Sequence, residues 1–309
     1  MRVASIGECM VELSDAGAGL FSRSFGGDTL NTALYLARLG IETSYVSALG
    51  DDPLSSAMLD AWSAEGINID EVVRVPGRLP GLYMIERNGL GERSFLYWRD
   101  RAPAREFFDH IDDLVLERLA RFDWLYLSGI TLSLYSDDGR ARLIELLTRA
   151  RRNGGRVAFD GNYRPRGWND ATTARRVFDS LLPHVDLALP TFDDEKLLFG
   201  DADADSCAAR LHAAGIAEIV VKMGPRGCIV YSEGGRTEVL PDEVLQPVDT
   251  TAAGDSFNAG YLAGRLSGAS LSESARAGHR LAGVVIQWPG AVIPRDAMPA
   301  CFMAKGIVA

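Results

Sequence analysis

The chain predicts an α/β fold: a doubly wound, mostly parallel sheet flanked by helices, with a small antiparallel sheet beside it. Three observations carry this. Short apolar runs alternate with amphipathic helical stretches along most of the 309 residues, the pattern of a parallel sheet covered on both faces. Residues 72–102 break that pattern, with no helix signal and a period-two alternation. The four cysteines, Cys9, Cys207, Cys228 and Cys301, form no Cys-x-x-Cys pair, and a chain this long needs no disulfide staples.

The elements follow in order. "RVASIGE" is a first strand. "DTLNTALYLARLG" is a helix with Leu30, Leu34 and Ala37 on one face and Gly40 as its stop. "ETSYVSALG" is a strand, and "PLSSAMLDAWSAEG" a helix with Pro53 in its first turn. "FDWLYLSG", "RVAFDGN", "VDLALPT" and "AEIVVKMG" continue the strands, separated by helices at about 136–152, 171–182 and 203–214. A strand pair at 227–240 and helices at 255–267 and 271–287 close the pattern. Two excursions, "MVELSDAGAGLFSRSF" and "GLYMIERNGLGERSFLYWRD", read as strand, turn and strand, the second turning at Asn88 to Gly91. A sheet this small needs something to pack on, so it is expected to cover a cleft, a partner subunit or both.

Composition narrows the function. Apolar residues make up 47% and the formal net charge is -10, a field that repels nucleic acid and anionic membrane. Any anionic substrate must be held by particular basic residues. The amino terminus enters a strand without a signal-peptide core, and no apolar run reaches spanning length. A cytoplasmic protein with reduced thiols is expected.

Ligands in doubly wound sheets bind beyond the carboxyl ends of the strands. The stretch "DTTAAGDSFNAGYL" lies at such an end, and Asp255 stands near a helix start after three small residues. It reads either as an ordinary N-cap or as a base beside a bare backbone that gathers phosphate charge. The second reading fits phosphoryl transfer, which depends on positioning and electrostatics. No P-loop, dinucleotide fingerprint, zincin helix or protein-kinase set is present. The four histidines lack ligand spacing.

"DTTAAGDSFNAGYL" resembles the carboxyl-terminal signature of the ribokinase-like (PfkB) carbohydrate kinases, and "FGGDTLNTALYLARLG" resembles their amino-terminal one. The resemblance spans nearly the whole chain. The strings "IGECMVELS", "GERSFLYWRD", "NYRPRGW" and "GAVIPRDAMPA" are most similar to the branch acting on 2-keto-3-deoxygluconate. It implies a ribokinase-like body of residues 1–10, 26–71 and 103–309, and a β-lid of residues 11–25 and 72–102. It implies that Asp255 takes the proton from the sugar hydroxyl. The backbone of Ala252, Ala253, Gly254 and Asp255 would form the anion hole. Gly26, Gly27 and Asn31 would hold the sugar. Lys222, Gly224 and Gly227 would lie along ATP, with Asn162 nearby. Magnesium would bridge the phosphates and keep its waters, Glu195 reaching it through them. A monovalent cation near Asp249 is left open.

Alternation puts Phe95, Tyr97 and Arg99 on one strand face. Tyr83, Tyr97 and Arg99 would roof the sugar pocket, with Arg164 reaching in from the body. Two arginines suit an acid sugar, since guanidinium pairs with carboxylate through two parallel hydrogen bonds. The other reading places Tyr97 and Arg99 in a dimer interface and Arg164 at a strand end. The expected partners are a sugar acid, ATP and a second copy of the chain joined through the lid. A fructokinase or ribokinase type, and a non-catalytic sugar-acid-binding protein, are the alternatives. Two departures from the family stand out: Phe192 occupies a frequent Asn position, and Ala252 a frequent Gly position. Ala252 is expected to avoid a left-handed backbone, which would cost roughly 1–2 kcal/mol.

Overall fold

The computed structural model describes residues 1–87 and 93–299. The turn expected at Asn88 to Gly91, Cys301 and the last residue of "GAVIPRDAMPA" lie outside them. The chain begins with β1 (Arg2–Ile6), β2 (Met10–Gly17), β3 (Leu20–Gly26), α1 (Asp28–Arg38), β4 (Glu42–Gly50), α2 (Pro53–Ala64), β5 (Val72–Val75), β6 (Leu82–Arg87) and β7 (Arg93–Trp98). It continues with α3 (Asp113–Leu119), β8 (Trp124–Ser128), α4 (Gly129–Leu134), α5 (Asp137–Arg152), β9 (Arg156–Asp160), α6 (Ala171–Leu181) and β10 (Leu187–Ala188). It closes with α7 (Phe192–Phe199), α8 (Ala204–Ala213), β11 (Glu218–Lys222), β12 (Cys228–Ser232), β13 (Gly235–Val239), α9 (Ala253–Leu266) and α10 (Leu271–Val285).

Local chemistry sets the helix ends. The Asp52 carboxylate accepts from the amides of Leu54 and Ser55 at 2.9 and 3.2 Å, and Pro53 opens α2. Ser270 and Glu273 cap α10 reciprocally. Gly40, at φ +81°, follows the end of α1 as expected.

The large sheet runs β13-β12-β11-β10-β9-β8-β1-β4-β5. It is parallel from β5 to β11, and β12 and β13 run antiparallel. Its strands alternate between two cores. Ala4, Ile6, Leu125 and Leu127 face one, with Phe107, Leu146 and Phe178. Val3, Trp124 and Tyr126 face the other, with Tyr35, Trp62 and Tyr261. The chain leaves β1 toward β4 on one side and returns to β8 on the other. That reversal opens a crevice at the carboxyl ends of β1 and β8.

The small sheet runs β3-β2-β6-β7. Its two hairpins, β2–β3 and β6–β7, are antiparallel, and they join along a parallel β2–β6 pair. One boundary differs from expectation. Residues 72–75 form β5 and pair with β4 in the large sheet, so the segment from 72 onward is not all lid. The alternation in "VVRV" looks the same at either sheet edge, so period alone could not place it. Helices α3, α4 and α7 also went unread; at six to eight residues they are too short for a periodic face to show. Among the described residues no helix is long and apolar enough to cross a membrane.

Candidate active site

Two helix starts meet at the crevice. α1 begins after Gly27, whose backbone is extended at φ 178°. Glycine is needed there for closeness, because an added Cβ would collide with the Glu8 carbonyl oxygen. α9 begins after Ala252, which has φ 59° and ψ 16°. The expectation that Ala252 would avoid the left-handed region is therefore wrong. The turn needs that conformation whichever small residue fills it, and alanine bears the strain. Replacing Ala252 with glycine is expected to raise unfolding stability by about 0.5–1 kcal/mol, once the freer unfolded chain is subtracted. Denaturant titration measures this, and a loss of stability would contradict the left-handed assignment.

The turn leaves donors exposed to an anion. The Ala253 amide folds back on the Thr250 carbonyl at 3.2 Å, and the Ser256 amide donates to Ala252 O at 2.9 Å. Among the described residues the amides of Gly254 and Asp255 have no acceptor. Free amides at a helix start, with the dipole behind them, attract negative charge.

Asp255 is 8% exposed and lies in the first turn of α9. Asn31 Nδ2 donates to its carboxylate at 2.8 Å, and Thr32 Oγ1 donates to its carbonyl at 3.2 Å. Burial pushes its carboxyl up to about 8, with the charges of Asp28 and Asp160 adding to the effect. Lys222 and the Asn31 bond oppose it. Asp28 is held by Asn162 Nδ2 at 2.7 Å, with Asn162 at φ 33°.

Below Asp255 lies a buried polar network. Lys222 Nζ donates to Asp160 Oδ2 at 3.1 Å and to Asn258 Oδ1 at 2.9 Å. Asn258 Nδ2 donates to the same Asp160 oxygen at 2.6 Å and to Tyr126 at 3.0 Å. The Lys222 ammonium also lies 3.5 Å from where a Cβ of Gly254 would stand. Gly224 and Gly227, at φ +59° and +88°, bracket the turn from β11 to β12.

The small sheet, the expected lid, contributes a polar and aromatic face. Tyr83 stands opposite Tyr97, with ring centroids 5.9 Å apart, and Phe95 stacks on Tyr97 at 6.3 Å. The Tyr83 hydroxyl donates to Glu12 and rests against Gly26, where a Cβ would collide with it. Burial and the Glu12 charge push the Tyr83 phenol upward. A cleft of about 340 Å³ runs between Glu12, Ser14, Ser24 and Ile85 on the lid and Asp249, Thr251 and Gly290 on the body. Asp249 ties the Thr251 amide to the Gly290 amide, at 2.9 and 2.8 Å.

The arginines already hold carboxylates. Arg99 pairs with Glu8. Arg164 donates to Asp194 at 3.1 Å and is 54% exposed. Glu195 is enclosed, and Arg210 donates to it at 2.7 Å. Burial pushes the Glu195 carboxyl up to about 7. Among the described residues the only grouping of three candidate metal ligands is Glu195, Asp201 and Cys207, and Arg210 already bonds all three.

The sequence profile described as pfkB family carbohydrate kinase matches residues 1–298. The chain belongs to that family. A 2-dehydro-3-deoxygluconokinase of Escherichia coli (strain K12) is 47% identical over 309 residues, covering 97% of this chain and 99% of the relative. That of Dickeya dadantii (strain 3937) is 46% identical over 307 residues, covering 97% and 99%. A crystal structure of fructokinase with bound ATP from Xylella fastidiosa matches with a TM-score of 0.84 at 22% identity, covering 96% of this chain and 95% of that one. That likeness shows the ribokinase-like fold.

In this family member the structure gathers Gly26, Gly27, Asn31 and Asp255 at the meeting helix starts, with Tyr83 and Tyr97 on the lid face. It buries Lys222 beside Gly254 at the start of α9 and gives Glu195 to Arg210. Two polar groups at the candidate site, Glu12 and Asn258, escaped the sequence reading. Asn258 had a visible signal, a polar residue one turn after Asp255 and so on the same helix face. Glu12 lies in β2, whose neighbours only the fold reveals.

Proposed function

We propose that the chain transfers the γ-phosphoryl group of ATP to the 6-hydroxyl of 2-keto-3-deoxygluconate, giving 2-keto-3-deoxy-6-phosphogluconate and ADP. The observation that carries this is the buried Asp255 carboxylate beside the free amides of Gly254 and Asp255. Asp255 accepts the hydroxyl proton, and those amides take the charge of the transferring group. The expected anion hole thereby narrows, since Ala253 spends its amide on Thr250. Asn31 orients Asp255 and, with Gly26 and Gly27, lines the sugar. Tyr83 and Tyr97 roof it, and Arg99 and Arg164 take the carboxylate. Lys222, Gly224, Gly227, Gly254 and Asn162 border the ATP path. Magnesium, when bound with ATP, neutralises phosphate charge and keeps most of its waters. The unpaired amides fit a phosphate, and carboxylates in the crevice fit a hydrated metal.

One observation favours a neutral-sugar kinase instead: both arginines already have carboxylate partners. A coupled ATP assay across 2-keto-3-deoxygluconate, its galactonate epimer, fructose and ribose decides. The keto acid is expected to exceed fructose and ribose by at least about 10³-fold in kcat/KM, because a site built for a polar group rejects analogues lacking it. Turnover of fructose or ribose with none of the keto acid would sink the acid-sugar reading.

Pairing of two copies through the lid fits the exposed Leu20, Phe21, Leu96 and Trp98. A monovalent cation would belong beside Asp249, and the potassium dependence of the rate tests it. A cytoplasmic setting fits Cys9, Cys207 and Cys228, each a free buried thiol.

A further inference from the structure

The Glu8–Arg99 ion pair joins the two sheets. Glu8 follows β1 of the large sheet, and Arg99 follows β7 of the lid. The Glu8 side chain is 1% exposed and that of Arg99 19%. A buried ion pair offsets its desolvation only when the remaining lone pairs and protons are also satisfied. Here they are not. Oε1 of Glu8 and Nε of Arg99 are both buried without a partner, and so is the hydroxyl of Tyr135, which feels the Glu8 charge. Native interiors pair nearly all such groups. The unpaired Nε donor of Arg99 therefore points to a missing acceptor at the lid–body seam.

We propose that Glu8 is a positioning residue for the acid sugar. It holds Arg99 through Nη2, so that the guanidinium's other N–H groups meet the substrate carboxylate. Arg99 is then the shared cation of two carboxylates, one built into the body and one brought by the substrate. A planar guanidinium suits this, because its donors project along separate edges. The ion pair also anchors the lid to the body, so the arginine that recognises the acid is the one that holds the lid down. Glu8 acts through Arg99 and makes no contact with the reacting hydroxyl. This inference rests on the acid-sugar reading above.

A double-mutant cycle tests it, using Glu8→Gln, Arg99→Ala and the combination in the full chain. Glu8→Gln keeps the size and one acceptor; Glu8→Ala, which strands a buried guanidinium, is the harsher second variant. Glu8→Gln is expected to raise KM for the keto acid about tenfold with kcat within about threefold, the signature of lost substrate binding. KM for ATP should stay unchanged. In the Arg99→Ala background the same substitution should shift KM for the keto acid by less than about twofold, because the route is already cut. Additive effects on KM, or equal losses in kcat and in KM for both substrates, would overturn the assignment while the wild type still turns over the keto acid. A wild type that phosphorylates fructose or ribose and ignores the keto acid overturns the acid-sugar reading and this inference together.

Discussion

Asp255→Asn is expected to lower kcat by about 10²–10⁴-fold while sugar and ATP binding change little. It is also expected to raise stability at alkaline pH. The side chain keeps its shape, and its amide oxygen still accepts from Asn31, so the pocket persists. What disappears is the proposed proton acceptor. The stability gain follows from the raised carboxyl, which burial holds near about 8 in the native state. Between the ordinary carboxylate range and that value, the native protein keeps a proton that the unfolded chain has released. The contribution of Asp255 to stability is thus complete below the ordinary range, falls as pH rises, and is gone by about 8. The asparagine variant does not titrate. Its advantage in Tm should therefore be near zero in acid and grow with pH, at about 2–4 °C per kcal/mol. For the wild type, kcat/KM should fall as pH drops below about 8, as the base takes up its proton. Near-normal ATP consumption by the variant would refute the base; a Tm difference independent of pH would refute the raised carboxyl.

Most of the large sheet was legible because its strands are apolar runs between amphipathic helices, and that pattern survives without tertiary information. The ends of α5, α6 and α8 fell within a residue or so of expectation for the same reason. The site was legible where a local constraint marks it. Gly27 must be bare because a backbone crosses it, and the run of small residues before Asp255 marks the start of α9, where two amides are left without an acceptor among the described residues. Partnerships were not legible. Nothing in the spacing of Glu8 and Arg99, or of Asp160, Lys222 and Asn258, says that they meet, since each pair is brought together by crossovers between distant strands. Ala252 failed in the opposite way. Its residue type argued against a left-handed turn, and the surrounding fold imposed one regardless.

Lys222→Met is expected to cost about 3–5 kcal/mol of stability, because it strands a buried carboxylate. Asp160 has one oxygen without a partner already, and its other oxygen depends on Lys222 and Asn258. Asn258 alone would then face the charge. Adding Asp160→Asn should return most of the loss, since the pair is coupled and the second change removes the orphaned charge. Chemical denaturation of the two single variants and the double variant measures this. Equal and additive losses would show that the ion pair is not the reason for the cost. Activity in the double variant separates structure from electrostatics. Lys222 is one of the groups that pull the Asp255 carboxyl down. Asp160 is one that pushes it up. Lys222→Met alone should move the acid limb of the pH–rate profile to higher pH. Removing the Asp160 charge as well should bring it back toward the wild-type position. A double variant that regains stability and the acid limb but remains slow would place the lost rate on the ammonium beside Gly254, on the proposed path of the transferred phosphoryl group.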